Sequence, residues 1–531
     1  MIVQGISYKN TGYFSKIVTD YLKQTAELNN FYGNFPDLEG FKKQLELKQL
    51  SFKSENRKTL VKVLDSQYKK LNISELTQGN IKLLGEDNTF TITTGHQLNI
   101  FTGPLYFLYK IVSAINLAKQ LKEAYPNYNF VPVYWMATED HDFEEINYFN
   151  FKENKVKWDR ESSGAVGRLK TTNFYKVYQE FSELLGTSKN EEYLKELFKK
   201  AYLNHTNLAA ATRFLVNELF GKYGLVIIDG DNNVLKKQFI PIIEDELLHQ
   251  TSFKEVTKTN EQLKKYSYKI QVNPREINLF YLKYSIRERI VFEENSYKIN
   301  QTDLVFTKDE ILEELYNYPE RFSPNVLMRG LYQETILPNL CYIGGGGELA
   351  YWFQLKNYFE KVNVTFPILL LRNSALFISS KQMQKLQKLG ISISNLFKKQ
   401  DVLVSQKIKE ISKVEIDFST QKEFLEQQFE LLKEVAKQTD YSFLGAVNAQ
   451  EKKQLKGLNN LEKRLLKAEK RKYADIVDRI KLIQNELFPN QSLEERTRNF
   501  SEIYILVGND LIPKLIEHLK PLDLQFTVLE Y

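Results

Sequence analysis

Three times in this chain a short apolar run of strand character ends in a polar or glycine-bearing loop and passes into a stretch of helical period. That pattern constrains the fold more than any other feature. A strand, a crossover helix and a second strand in one sheet must run parallel. The first case is Thr89-Phe90-Thr91-Ile92-Thr93-Thr94, then a loop over residues 95–103. Behind Pro104, well placed for a first helical turn, follow Leu105, Phe107, Leu108, Ile111, Val112, Ile115, Leu117, Ala118 and Leu121. The second is Gly224-Leu225-Val226-Ile227-Ile228, closed by Asp229-Gly230-Asp231 and a helix through Leu247. The third is Cys341-Tyr342-Ile343, four glycines at 344–347, and a helix from Glu348. Phe130-Val131-Pro132-Val133-Tyr134-Trp135 and Phe366-Pro367-Ile368-Leu369-Leu370-Leu371 supply two further strands. The expected fold is α/β, a doubly wound parallel sheet of five strands with insertions between them.

The chain has 531 residues, too many for one compact core, and the expected units follow the pattern. Residues 1–88 read as a helical part packing on the core, with Tyr13, Ile17, Tyr21 and Leu22, then Leu60, Val61, Leu64 and Tyr68, at helical spacing. The core spans 89–375, with insertions at about 143–200 and 252–330, the second of them β-rich. Over 376–500 the sequence turns Lys-, Gln- and Glu-rich. Leu458, Leu461, Leu465 and Ala468, then Ile476, Ile480, Ile483 and Leu487, step by three and four against a strip of Phe424, Leu425, Leu432 and Val435. This predicts an antiparallel helical coiled coil about 60 Å long, reversing within 440–450 near Gly445 and stopping at Phe488-Pro489-Asn490. Residues 501–531 are expected to pack back on the body.

Composition narrows the function. Hydrophobic residues make up 42% and the net charge is +6, so the chain can bury a large core, and its small basic excess admits an anion such as ATP without singling out nucleic acid. The single cysteine, Cys341, excludes an internal disulfide and a Cys-rich zinc site; no resident metal is expected. Its apolar surroundings predict a buried, inert thiol. No signal peptide and no apolar run of about 20 residues is visible, so a soluble cytoplasmic protein is expected.

Three loops carry chemistry. Thr94, Gly95, His96, Gln97, Asn99, Thr102 and Gly103 lie in the turn after the first strand, where glycines and free amides at a helix start suit an anion. Glu139, Asp140, His141 and Asp142 follow the strand ending at Trp135. Such density of carboxylate needs a compensating cation, a metal or an ammonium group. Gly345, Gly346 and Gly347, with Glu348 and Tyr351, form a possible phosphate cradle after the strand at Cys341. His205, His249 and His518 are isolated and read as structural. The basic run Lys463, Arg464, Lys467, Lys470, Arg471 and Lys472 reads as a solvated face of the coil.

In this order, and nearly end to end, these motifs resemble the bacillithiol-biosynthesis cysteine-adding enzymes. The resemblance rests on Thr94-Gly95-His96-Gln97 with Phe101-Thr102-Gly103-Pro104-Leu105-Tyr106, and on Pro132-Val133-Tyr134-Trp135 with Glu139-Asp140-His141-Asp142-Phe143. It continues in Arg275-Glu276-Ile277-Asn278-Leu279-Phe280, Leu331-Tyr332-Gln333-Glu334, Gly347-Glu348-Leu349-Ala350-Tyr351-Trp352, the coil run 461–472 and Leu487-Phe488-Pro489-Asn490. Three positions depart from the family pattern. His96 stands where Gln is frequent, Gly346 where Pro is usual, and Cys341 where a small apolar residue is common, so neither His96 nor Cys341 is expected to be obligatory in the chemistry.

The resemblance implies a Rossmann-like, synthetase-like core with connecting-peptide insertions, a protruding coiled coil and a homodimer. It implies a ligase that joins the carboxyl of L-cysteine to the glucosamine amine of glucosaminyl-malate. Because an amide does not form from carboxylate and amine unaided, ATP with its Mg2+ is the expected activator, held at the two glycine loops. Asp140, His141, Asp142 and Glu139 would hold the amine and take its proton, and Trp135 would line the pocket. The competing expectation is a non-catalytic scaffold whose coil binds a partner or RNA.

Overall fold

The computed structural model describes residues 3–439 and 441–531, without the side chains of Val3 and Tyr441. At its centre lie five strands: β1 (Thr89–His96), β2 (Asn129–Met136), β3 (Val226–Asp229), β4 (Asn339–Gly344) and β5 (Ile368–Leu371). They form one parallel sheet in the order β5-β4-β1-β2-β3. β1 is buried along its whole length, as a central parallel strand covered on both faces must be. Phe90 and Ile92 pack with Ala114, Leu117 and Leu121 of the crossover helix Tyr106–Ala124. Thr91 and Thr93, pointing the other way, share the Asn339 Oδ1 acceptor at 3.1 and 2.8 Å.

The segments between these strands shape the site. Between β2 and β3 lie the hairpin Tyr148–Phe151 and Asn154–Lys157 and the helices Phe174–Leu184, Lys189–Leu203 and Leu208–Phe220. Between β3 and β4 a second, antiparallel sheet forms from Phe322–Pro324, Leu279–Lys283, Ile286–Glu293, Ser296–Ile299 and Val305–Phe306. The start of the chain is not wholly helical: Val3–Ser7 is a strand, paired antiparallel to Gln525–Glu530, which also pairs parallel to Ala375–Ile378. So short a segment carries little strand signal of its own; the partner at the opposite end of the chain makes the strand.

The coiled coil forms from Ser419–Ala436 and Tyr441–Lys472. Ion pairs Lys433–Glu451 (2.7 Å) and Lys422–Glu462 (2.6 Å) show that the two run antiparallel. Two details differ from the expectation. Gly445 lies inside the second helix rather than at the reversal, and Asp440, where the reversal was expected to begin, lies outside the described residues. The seam is also rotated. Phe429, Ala436 and Val447 are buried with Leu425 and Leu444 against them, while Phe424 and Leu461 are 62% and 52% exposed. Heptad spacing alone allows either stripe, and the neighbouring helix selects one. The longer arm has 32 residues, about 48 Å at helical rise. The helix breaks at Tyr473, and Ala474–Leu487 returns to the body, where Gln484 Nε2 donates to the carbonyls of Leu396 and Lys398. Among the described residues no helix is long and apolar enough to cross a membrane.

Cys341 sits in β4, fully buried with Ile92, Leu340 and Ile368, and burial pushes its thiol well above the usual range. Cys341→Ala is therefore expected to leave turnover unchanged and to cost about 1 kcal/mol, read from urea unfolding at equal slope. Loss of activity in a folded variant would contradict an inert thiol.

Candidate active site

The direction of the sheet's winding reverses between β1 and β4, and in open α/β sheets ligands bind outside the carboxyl ends of strands at such a point. A cavity of about 990 Å3 lies there. Its wall includes Gly95, His96 and Gln97 at the end of β1, Trp135 at the end of β2 with Glu139, Asp140, His141 and Asp142 beyond it, and Gly345, Gly346, Gly347, Glu348 and Tyr351 after β4. Three loops more than forty residues apart in the chain thus meet because each leaves the same edge of one parallel sheet.

The acidic loop carries its own counter-charges. Lys236, fully buried on the helix Asn233–Lys237, donates to Glu139 Oε1 at 2.6 Å. Asp140 accepts from Gln97 Nε2 at 2.9 Å and from the His141 amide at 2.7 Å. Arg287 donates to His141 Nδ1 at 2.5 Å. Burial acts to raise the Asp140 carboxyl, but the bonds from His141 and Gln97 and the charge of Arg287 outweigh it and hold the group well below the usual range. Asp142 differs: it is about half exposed, 3.8 Å from His141 Nε2, and raised by burial and by Asp140. Asp140, His141 and Asp142 bring ligand atoms within 4.8 Å of one another. Yet Asp140 is engaged through both oxygens and Arg287 bonds the histidine, which is poor chemistry for Mg2+ with its demand for octahedral oxygens.

On the opposite wall Glu348 is fully engaged. Lys110 Nζ lies 2.5 Å from its Oε2, the Tyr342 hydroxyl donates to Oε1 at 2.6 Å and the Gly345 amide donates at 2.8 Å. Burial opposes the charge, but Lys110 and these donors pull the carboxyl down to about 2. Gly95 brings its backbone close to Arg329: a Cβ there would stand 3.1 Å from the guanidinium, tighter than ordinary contact.

Four residues of the motif that ends β1 and forms the following turn, Thr94, Asn99, Thr102 and Gly103, do not line the cavity. The Thr94 hydroxyl donates to Ile343 O at 2.8 Å and so ties β1 to β4. Asn99 Nδ2 donates to Glu145 O at 3.1 Å. Thr102 is buried, with φ +68°. Gly103 has φ +60°, a conformation that favours glycine, and a Cβ there would meet Asn99 at 2.7 Å. These residues shape the turn, whose Phe101 is anchored among Phe149, Phe181, Phe198 and Phe500.

His96 faces the cavity between Tyr106 and Phe107, with Nδ1 2.9 Å from Gln97 O. Burial and the Lys110 charge push it down to about 3, from an ordinary 6.5. It is neutral near pH 7, and His96→Gln is expected to change kcat/KM by no more than about threefold. Because the folded-state value is depressed, acidification from pH 6.5 toward 3 protonates the unfolded chain first and removes stability. That loss, on the order of a few kcal/mol, should shrink in His96→Gln. Unfolding midpoints between pH 7 and 5 measure it, and identical pH slopes would contradict a buried neutral imidazole.

The loops read from the sequence account for the acids of the site but not for its cations. Seven cationic side chains line the cavity, Lys110, Arg275, Arg287, Arg289, Arg329, Arg372 and Arg496, against the four carboxylates of Glu139, Asp140, Asp142 and Glu348. Arg329, on the helix Val326–Ile336, hydrogen-bonds among the described residues to the neutral partners Gln333, Tyr342 and Tyr351. A signal existed for two of the cations: Arg287-Glu288-Arg289 alternates in the strand Ile286–Glu293, which places both arginines on one face.

A Rossmann-like sheet followed by a coiled coil on the same chain agrees with the two domain models that match it. A family model described as the N-terminal Rossmann-like domain of bacillithiol biosynthesis BshC matches residues 1–373, and the model of the C-terminal coiled-coil domain of BshC matches residues 375–531. A Flavobacterium johnsoniae protein named "Putative cysteine ligase BshC" is 57% identical over 524 residues, with 99% of each chain covered. Relatives of the same name from Flavobacterium psychrophilum (58%, 99% of each chain) and Cytophaga hutchinsonii (39%, 98% of this chain and 97% of the relative) also align end to end. With both domain models matched and full-length relatives at this level of identity, the chain belongs to the BshC family of bacillithiol biosynthesis.

Proposed function

We propose that the chain is a cysteine ligase that forms an amide between the carboxyl of L-cysteine and the glucosamine amine of glucosaminyl-malate, with ATP activating the carboxyl. The observation that carries this reading is the charge pattern of the switch-point cavity: seven cations on one side of the balance and a compact acidic loop on the other. Both the malate carboxylates and the phosphates of a nucleotide are anions that such a wall attracts, while the amine needs an acceptor for its proton. Asp142 suits that task best. Glu139 is bonded to Lys236 and Asp140 to Gln97 and the His141 amide, whereas Asp142 is exposed to the cavity with a raised carboxyl.

In this reading the amine nitrogen attacks the activated cysteinyl carbonyl. The C–N bond forms as the bond from that carbonyl to the leaving phosphate or nucleotide breaks, and the amine proton passes to Asp142. The main-chain amides of Gly346 and Gly347, with Arg329 and Arg372 on the same cavity wall, offer donors to the leaving group. Mg2+ enters with the nucleotide rather than as a resident of the acidic loop. The test is incubation of pure protein with L-cysteine, glucosaminyl-malate and ATP, followed by mass spectrometry. Bacillithiol is expected, with AMP or ADP distinguishing adenylate from acyl-phosphate activation. A folded protein that makes no product and consumes no ATP would overturn the reading.

A further inference from the structure

The cavity is not completed by the Rossmann-like half alone. From Leu487, where the returning helix of the coiled coil ends, the chain runs back over the core, and the short turn Glu494–Arg496 lands on the cavity wall. Glu495 is fully buried there. Its Oε1 accepts from Arg372 Nη2 at 2.8 Å and its Oε2 accepts from the Ala375 amide at 3.1 Å. Arg372 is the residue after β5, only 6% exposed, with its guanidinium 5.0 Å from the ring of Tyr106 in the same cavity. Its other bonds go to neutral groups, Asn373 O and Ser374 Oγ, so among the described residues Glu495 is the carboxylate that pairs with it.

The next residue points the other way. Arg496 is exposed, lines the cavity and makes no ion pair among the described residues. Three positions on, the buried Asn499 Nδ2 donates to Phe101 O (2.8 Å) and Gly103 O (2.6 Å), which fastens the segment to the turn after β1. One guanidinium held by a buried carboxylate and a second with no ion-pair partner among the described residues therefore line the same cavity, whose wall is already in cationic excess. Guanidinium groups lining a cavity of net positive charge favour an anion there through charge-assisted hydrogen bonds.

We propose that Glu495 and Arg496 complete the anion site of the cavity from the C-terminal half: Glu495 is a positioning residue that fixes the Arg372 guanidinium, and Arg496 contacts the carboxylate or phosphate of the bound substrate. The proposal deepens the ligase reading, on which it rests for the substrate, but its test needs no turnover. Binding of L-malate and of tripolyphosphate to the full-length chain is measured by calorimetry, and the two probes separate carboxylate from phosphate as the anion. Arg496→Gln is expected to weaken at least one probe by about tenfold or more at an unchanged unfolding midpoint, and Arg496→Lys to weaken it less. Glu495→Gln should weaken the same probe. If Glu495 acts through Arg372, the double variant Arg372→Lys/Glu495→Gln should bind no more weakly than Arg372→Lys alone.

Unchanged binding of both probes by Arg496→Gln would overturn the proposal, as would a wild-type chain that binds neither. Additive losses in the double variant would overturn the role of Glu495. Should Glu495→Gln not fold, Arg496→Gln at its exposed position decides alone. A chain that binds the probes as expected but makes no bacillithiol would sink the ligase reading and leave the anion site standing.

Discussion

Asp140→Ala is expected to lower kcat/KM for product formation about a hundredfold or more while the chain stays folded. Asp140 stands where the loops after β1 and β2 meet. One oxygen accepts from Gln97 and the other from the His141 amide, and its charge faces Arg287, which in turn bonds His141. Deleting the carboxylate frees Gln97, removes the counter-charge of Arg287 and lets the loop carrying Asp142 relax. Displacement of reacting groups by about 1 Å suffices for losses of this size. Because the side chain is about a quarter exposed, the fold should survive. Asp140→Asn keeps one acceptor and loses the charge, and should fall between the two. Steady-state kinetics beside thermal melts measures this. Near-normal turnover in the alanine variant would return the loop to a solvated surface feature.

Lys236→Met is expected to be the most destabilising single change near the site, at about 3–5 kcal/mol. Lys236 is fully buried, and its ammonium donates to Glu139 Oε1 at 2.6 Å and to Phe322 O at 2.7 Å, over the ring of Tyr332 at 4.9 Å. It thereby joins the helix after β3, the acidic loop after β2 and the antiparallel sheet. Methionine fills similar volume but leaves the Glu139 carboxylate buried without its counter-ion, and that uncompensated charge accounts for most of the cost. Glu139→Gln in the Lys236→Met background should recover part of the loss, since it removes the stranded charge. Urea unfolding of the two variants decides: a loss under about 1 kcal/mol for Lys236→Met would mean the pair is solvated rather than buried.

The loops were legible in the sequence and the cations around them were not, for a physical reason. Strand termini announce themselves locally: a buried run such as Phe130 to Trp135 must end where polar residues and glycines begin, and ligand loops of a parallel sheet sit at those ends. Within the loops the reading could not separate wall from support. Thr94, Asn99, Thr102 and Gly103 share the motif of Gly95, His96 and Gln97, yet they hold the turn while the latter face the cavity. Direction of a side chain in an irregular turn depends on what anchors it, here Asn499 and a cluster of aromatic rings from the insertion and from residue 500. The coil was legible as a helical pair but only partly in its seam: Leu425 packs there as expected, but Phe429 and Ala436 are as compatible with helical period as Phe424 and Leu432.

By itself the amino-acid order determined what depends on near neighbours: five buried strands, the helices between them, an antiparallel helical arm and the three loops where ligand contacts concentrate. Tertiary structure alone decided which charges meet. Arg275, Arg287, Arg289, Arg329, Arg372 and Arg496 come from distant segments, and Lys236, Glu495 and Asn499 support the wall from behind. Burial of a charge is tolerated only where a partner from another element is brought within bonding distance. That distance is a property of how the elements pack, not of the order in which they are strung.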